Sequence, residues 1–305
     1  MKLLIANERI AKLTGTEVVA RDFARGFRKR GVDVSILTKQ AGQLAGQLRS
    51  EGFDVVDQIE QLRMPPDIVH MNDLAPVDVL AQRLPSVPTL LHWHKFVPED
   101  IAWPAGSVTT ACGVSPRICE KIEKYTGLKK VRLLGNYVDL DTLVPRVEPL
   151  PNKPNRWLFV AQQKRSRLLA LKLSLIAIKH GARLHLVGPQ VFKRVENLGS
   201  LTSQFDLVFA SGRCALEAAC TGVAVVPCDP NGVAACMTTE NMARYRQGNF
   251  TYAQFDAGPE LNAIGKAISA YNASEAEEAA KWVRQDADLT RGLDQLLAIY
   301  SEILR

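Results

Sequence analysis

Three things are scarce in this chain of 305 residues, and each closes off a class of reading. No apolar run approaches the ~20 residues that a membrane-crossing helix requires. Even the N-terminal MKLLIANERI holds only four apolar residues before Asn7, Glu8 and Arg9, so it reads as a first strand and not as a signal peptide. The six cysteines (112, 119, 214, 220, 228, 236) contain no C-x-x-C pair and no zinc spacing, which points to reduced thiols in a cytoplasmic protein. Acidic residues are missing from one long window. Residues 153–195 hold ten Lys/Arg and no Asp or Glu, a positive field suited to an anionic ligand or surface. Aromatics do not interleave with those bases and no nucleic-acid module is recognisable, so nucleic acid is not the expected partner.

What is present describes an ordinary globular protein large enough for two cores, with 47% hydrophobic and 23% charged residues. Apolar runs alternate with helical periodicity, the pattern of parallel sheets covered on both faces. A strand is expected at 3–6, a glycine turn at 14–16, and a helix over 17–30 that buries Val19, Phe23 and Phe27. Gly31 ends that helix, and strands follow at 32–37, 67–70, 89–92, 107–110 with Gly113-Val114 after it, and 131–134. Four prolines (145, 149, 151, 154) within 144–156 cannot sustain helix or central strand, so an interdomain linker is expected there. The alternation then restarts with a strand at 157–161, a helix at 168–180, and strands at 183–187 and 206–209. Two tail helices are expected at 259–271 and 275–304. Each half reads as a Rossmann-like unit, and two such units facing each other form a central cleft at the carboxyl ends of their strands.

The richest segment is Ser211 to Pro227, SGRCALEAACTGVAVVP. A short loop opens a helix that closes at Thr221-Gly222, and 223–226 read as a buried strand. Gly212 allows close approach of a ligand to the backbone, and the free N–H groups of a helix start favour an anion. Arg213 supplies a bidentate cation for phosphate, and Glu217 a carboxylate that accepts from hydroxyl groups. An anion cradle next to a hydroxyl acceptor suits a nucleotide-sugar, with the diphosphate on the helix and the ribose on Glu217.

Further segments stand in an ordered series. They are Thr14-Gly15-Thr16-Glu17, Pro66-Asp67-Ile68-Val69-His70, Gly113-Val114-Ser115, Asn136-Tyr137-Val138-Asp139 with Pro145 after it, and Glu217-Ala218 through Val225. In order and spacing the chain resembles the GT-B glycosyltransferases of the family-4 (group 1) type over nearly its whole length. The resemblance implies an α/β fold with an acceptor-side domain at 1–145, a linker at 146–156 and a nucleotide-sugar-binding domain at 157–305, whose last helix is free to pack back on the first domain. Departures are visible. Tyr137 stands where the family has Gly, Ala224 where it has Pro, and Phe209 where the first of two glutamates eight apart is usual. The family's phosphate clamp is replaced by Ala161-Gln162-Gln163-Lys164-Arg165-Ser166-Arg167, and the second domain is abbreviated.

Site expectations follow residue by residue. Lys164, Arg165 and Arg167 lie between a strand and a helix, where two of them could restore a cationic clamp for a departing diphosphate. His92 and His94 end a strand, where a histidine can donate to a sugar hydroxyl or act as a base. The family register favours His94 as the residue near the reacting carbon, with His92 and His70 more structural. By the same resemblance Gly15 and Thr16 form the acceptor and phosphate loop. Asp139-Leu140-Asp141 has D-x-D spacing but lies inside the N-x-V-D segment, so no metal site and no cofactor are expected. The expected activity is transfer of a sugar from a nucleoside-diphosphate donor to a glycan or lipid-linked hydroxyl acceptor, retaining and metal-independent, in the cytoplasm or at the inner membrane surface. A nucleotide-sugar 2-epimerase and a degenerate glycan-binding module are the alternatives on the same fold.

Overall fold

The computed structural model describes residues 1–12, 15–74, 76–94, 108–193, 195, 198–251 and 254–305. Thr14 of the glycine turn and Ser107 of an expected strand lie outside the described residues. The chain runs through β1 (Lys2–Ala6), β2 (Arg9–Ile10), α1 (Gly15–Lys29), β3 (Asp33–Leu37), β4 (Gln40–Ala41), α2 (Gln43–Ser50), β5 (Asp54–Val56), β6 (Ile68–Met71) and α3 (Val77–Arg83). It continues through β7 (Thr89–Trp93), β8 (Thr110–Gly113), α4 (Pro116–Thr126), β9 (Arg132–Leu133), β10 (Arg156–Val160), α5 (Ser166–His180), β11 (Arg183–Val187) and α6 (Leu198–Thr202). The remaining elements are β12 (Leu207–Ala210), α7 (Gly212–Cys220), β13 (Ala224–Asp229), β14 (Gly232–Val233), α8 (Met242–Gln247), α9 (Leu261–Ser269), α10 (Ala273–Asp286) and α11 (Leu289–Ile303).

Two compact units result. The first comprises Met1–Tyr137 with Leu289–Arg305, and the second Val138–Asp288. The first unit is built on a seven-stranded parallel sheet in the order β5-β3-β1-β6-β7-β8-β9. Successive residues of β1 serve opposite faces. Leu3 and Ile5 join Phe23, Phe27, Leu296 and Tyr300 under α1 and α11, whereas Leu4 and Ala6 join Val69, Leu91, Trp93 and Ile122 on the other side. Burial on both faces explains why these strands read as unbroken apolar runs.

The second unit holds a five-stranded sheet, β11-β10-β12-β13-β14, parallel except for the short β14. Trp157, Phe159, Leu207 and Phe209 face the core shared with α5 and α9, and Leu158, Val160 and Val208 face that of α7 and α10. Pro227 lies inside β13, past the expected strand end, because its missing N–H falls on the sparsely paired side. Its carbonyl there accepts from the Ala234 N–H at 2.9 Å.

Two expectations change. The proline-rich segment is fastened to the second unit, so the division falls at Tyr137/Val138 and not at 145/146. Arg146 pairs with buried Asp206 at 3.1 Å, the Leu150 N–H donates to Glu277, and Tyr271 donates to the Pro151 carbonyl at 2.5 Å. The helix expected at 275–304 breaks into α10 and α11, and the second piece belongs to the first unit. Tyr137 there packs its ring on Gly292 and donates to Gln295 at 2.8 Å, so the tyrosine that replaces the family's glycine anchors α11.

Candidate functional site

In parallel sheets the strand ends and following helix starts form the ligand edge, and each unit has its own. In the second unit, β10 and β12 are neighbours, and each leads into a helix within a few residues. Arg165 takes a left-handed conformation, φ 69°, to turn the chain into α5. Gly212, φ 58°, does the same for α7. Neither helix start has a side-chain cap, and neither first turn carries an acid. The helix dipoles make this edge positive, and at α5 the Ser166 and Leu168 N–H groups are tied to the Gln163 and Arg165 carbonyls at 3.2 and 3.1 Å. The Gly212 N–H itself is tied to the Phe250 carbonyl at 3.0 Å.

Lys164 and Arg165 are exposed at this edge. Arg167 is directed elsewhere. Its Nε donates to the Gln190 carbonyl at 2.9 Å, and its guanidinium lies over the Phe192 ring. Arg213 and Glu217 are half-buried and paired, Nε to Oε1 at 2.8 Å. Gln162 reaches Cys214 Sγ at 3.6 Å, and Gln163 donates to Asp229 Oδ2 at 2.7 Å, which joins the loop after β10 to α7 and to the end of β13. These glutamines and the buried Asp229 were not singled out in the sequence, although a Gln-Gln pair directly after a strand was a visible signal. Burial and the nearby Glu217 push the Cys214 thiol up to about 12, so it stays protonated and is no nucleophile.

The edge of the first unit is built from histidine and asparagine. His94 follows β7, with Nδ1 3.1 Å from Asn136 Oδ1 and Nε2 3.3 Å from Asn72 Oδ1. Its ring lies against His92, with centroids 4.0 Å apart. His92 is fully buried and bonded through Nε2 to the Leu134 carbonyl at 2.9 Å. Burial lowers its pKa to about 4. His70 is also buried, with Nδ1 2.5 Å from the Tyr300 hydroxyl of α11. Burial, with the neighbouring His92 adding to it, holds its pKa well below the usual histidine range. Both rings are neutral struts beneath His94.

Among the described residues, five buried polar atoms here have no hydrogen-bond partner: Asn7 Oδ1, His70 Nε2, Asn72 Nδ2, His92 Nδ1 and Trp93 Nε1. All belong to the neighbouring strands β1, β6 and β7 or to the residue just past them. Unsatisfied buried groups are costly and normally rare. His94, only half-buried, is the imidazole of this edge left within reach of a hydroxyl-rich ligand. Asn7 and Asn72 escaped the sequence reading because nothing in a lone asparagine after a strand marks it, whereas Asn136 stood in the N-x-V-D segment without a role assigned to it.

Gly15 and Thr16 open α1 as expected, Gly15 exposed with φ 45°. The turn is braced by buried Glu17, whose Oε1 accepts from the N–H groups of Ala11 and Lys12 at 2.9 and 3.3 Å. An anion at Gly15 and Thr16 would share the turn with that carboxylate. Asp139 Oδ1 accepts from the Asp141 N–H and caps a short turn over 140–142. No group of three metal-ligating side chains occurs among the described residues. No helix among them is long and apolar enough to cross a membrane.

No family model and no curated protein matches the sequence. Solved structures do match in fold. A glycosyltransferase from Rickettsia africae ESF-5 is 14% identical with a TM-score of 0.68, covering 100% of this chain and 99% of that one. Anabaena Alr3699/HepE, in complex with UDP-glucose, is 14% identical with a TM-score of 0.66 over 99% of this chain and 100% of the other. An alpha-glucosyltransferase in complex with UDP and a 13-mer DNA containing a HMU base is 12% identical with a TM-score of 0.63, over 99% of both chains. At such identities the likeness shows the fold, the two Rossmann-like units of the GT-B glycosyltransferases.

Proposed function

We propose that this protein transfers a sugar from a nucleoside-diphosphate donor to a hydroxyl acceptor of the glycan or lipid-linked class, as a family-4-type glycosyltransferase. The observation that carries the reading is the pair of acid-free, uncapped helix starts of α5 and α7 at neighbouring strand ends, with Lys164 and Arg165 exposed beside them. Such an edge complements a diphosphate and stabilises the charge on a departing one. Glu217, in the second turn of α7, offers its carboxylate to the ribose, and Arg213 lies next to the phosphates. In the first unit, by the family resemblance, His94 serves the sugar and the acceptor.

The acceptor hydroxyl oxygen bonds to the anomeric carbon as the bond from that carbon to the diphosphate oxygen breaks. The hydroxyl proton passes to the departing diphosphate oxygen, and the nucleoside diphosphate leaves as an anion held by the cationic edge. By the family resemblance, configuration is retained and no metal is required.

A calorimetric and thermal-shift screen over nucleoside diphosphates and their sugars tests the reading. A ligand at 100 times its dissociation constant stabilises the protein by about 2.7 kcal/mol. Failure of every nucleoside diphosphate to bind would remove the donor site. Turnover with the identified donor is expected to persist in EDTA, and an isomerised donor released without acceptor would indicate an epimerase instead.

A further inference from the structure

Helix α5 is apolar on two sides. One face buries Leu169, Leu173 and Ile176 against the sheet. The other exposes Leu168, Leu171, Leu175 and Ile178, which are 61%, 59%, 53% and 76% accessible. At ~100° per residue these four fall within ~80° of the helix circumference and span ~15 Å of its length. Phe192 extends the patch. It is 85% accessible, and it lies under the guanidinium of Arg167 from the first turn of α5, 4.8 Å from ring centroid to Cζ. Its backbone adopts φ 56°, a costly conformation for a bulky residue, in a turn that leaves the ring outside. Single exposed leucines are common on protein surfaces, but an aligned stripe of four with an aromatic at its end is a contact face.

The charges around the stripe select what covers it. Lys164, Arg165 and Arg167 lie at its N-terminal end, and Lys179, Arg183 and Lys193 are exposed around the rest of this basic, acid-free window. Lys172 pairs with Glu260 at 3.0 Å, and Arg167 is held by the Gln190 carbonyl and the Phe192 ring. An isologous contact with a second copy would set these cations against themselves. Aliphatic side chains flanked by lysine and arginine on one helix face match the headgroup zone of an anionic leaflet, where the stems insert and the cations meet lipid phosphates.

We propose that the outer face of α5, with Phe192, docks this protein on an anionic lipid membrane surface. The docking is separate from the transfer reaction and is measured without donor or acceptor, so its failure would leave the transferase reading standing.

The test is co-sedimentation of the full-length chain with phosphatidylcholine vesicles that contain or lack phosphatidylglycerol. Binding is expected only to the anionic vesicles and is expected to weaken as salt is raised. The triple variant L171Q/L175Q/I178Q changes exposed positions only, and its fold is checked by circular dichroism and thermal unfolding. It should lower vesicle affinity by at least about tenfold. K179E/K193E should also lower it by about tenfold, with a shallower salt dependence. Absence of wild-type binding to anionic vesicles overturns the proposal, as does equal binding by the glutamine variant. Light scattering that shows a dimer abolished by the glutamine variant, without vesicle binding, would assign the face to self-association and also overturn it.

Discussion

Arg213 and Glu217 neutralise each other one turn apart on α7, Nε to Oε1 at 2.8 Å. Two opposed roles for Glu217 therefore separate cleanly in a variant. If the carboxylate only restrains Arg213, its removal frees a cation and strengthens diphosphate binding. We expect the opposite. Glu217→Ala should weaken nucleoside-diphosphate affinity by about 1–3 kcal/mol through lost hydrogen bonds to the ribose, as read by calorimetry.

His94 is gripped through both ring nitrogens by Asn72 and Asn136, so its ring is held in a fixed orientation. A histidine that meets charge developing on the sugar is expected to act on kcat. His94→Ala should lower kcat by about 10²–10³ with little change in nucleoside-diphosphate affinity. A raised KM at normal kcat would reduce His94 to substrate binding.

The buried histidines beneath it make stability depend on pH. The pKa of His92 is about 4 in the folded protein, below its unfolded value near 6.5. The unfolded chain binds the extra proton between those values, so stability is complete above pH 6.5 and is lost as the pH falls toward 4. His70, lowered by burial and by His92, acts in the same direction. Urea unfolding midpoints should drop over this range, and His92→Gln should flatten the drop by on the order of 3 kcal/mol.

A Cβ at residue 292 would lie 2.4 Å from the Tyr137 ring. Gly292→Ala should cost about 1–3 kcal/mol by overpacking. Tyr137→Ala in the same chain should recover part of that loss, a coupling that a double-mutant cycle measures.

The sheet strands were legible because most are buried on both faces and show as apolar runs, and Arg183–Val187 coincides with its expected range. The break between α10 and α11 was not legible. Ala287 and Asp288 are tolerable helix residues, and the chain leaves the helix there because the Ala287 carbonyl accepts from the Val138 N–H and Leu289 joins the core of the first unit. The proline cluster did exclude regular structure, but proline content says nothing of whether a segment is fastened, and Arg146 fastens this one through Asp206. At the site, charged and glycine-bearing motifs could be read. The partners that orient them, Asn72 and Asn136 for His94 and Asp229 for Gln163, come together only through strand adjacency.

The return of α11 to the first unit sets an order of maturation. Residues 138–288 are contiguous, so the second unit closes its cores within one stretch of chain. The sheet that begins at Lys2 waits with Phe27 and His70 uncovered until Leu293, Leu296 and Tyr300 emerge. The first unit is therefore completed only by contacts as distant along the chain as the 230 residues that separate His70 from Tyr300.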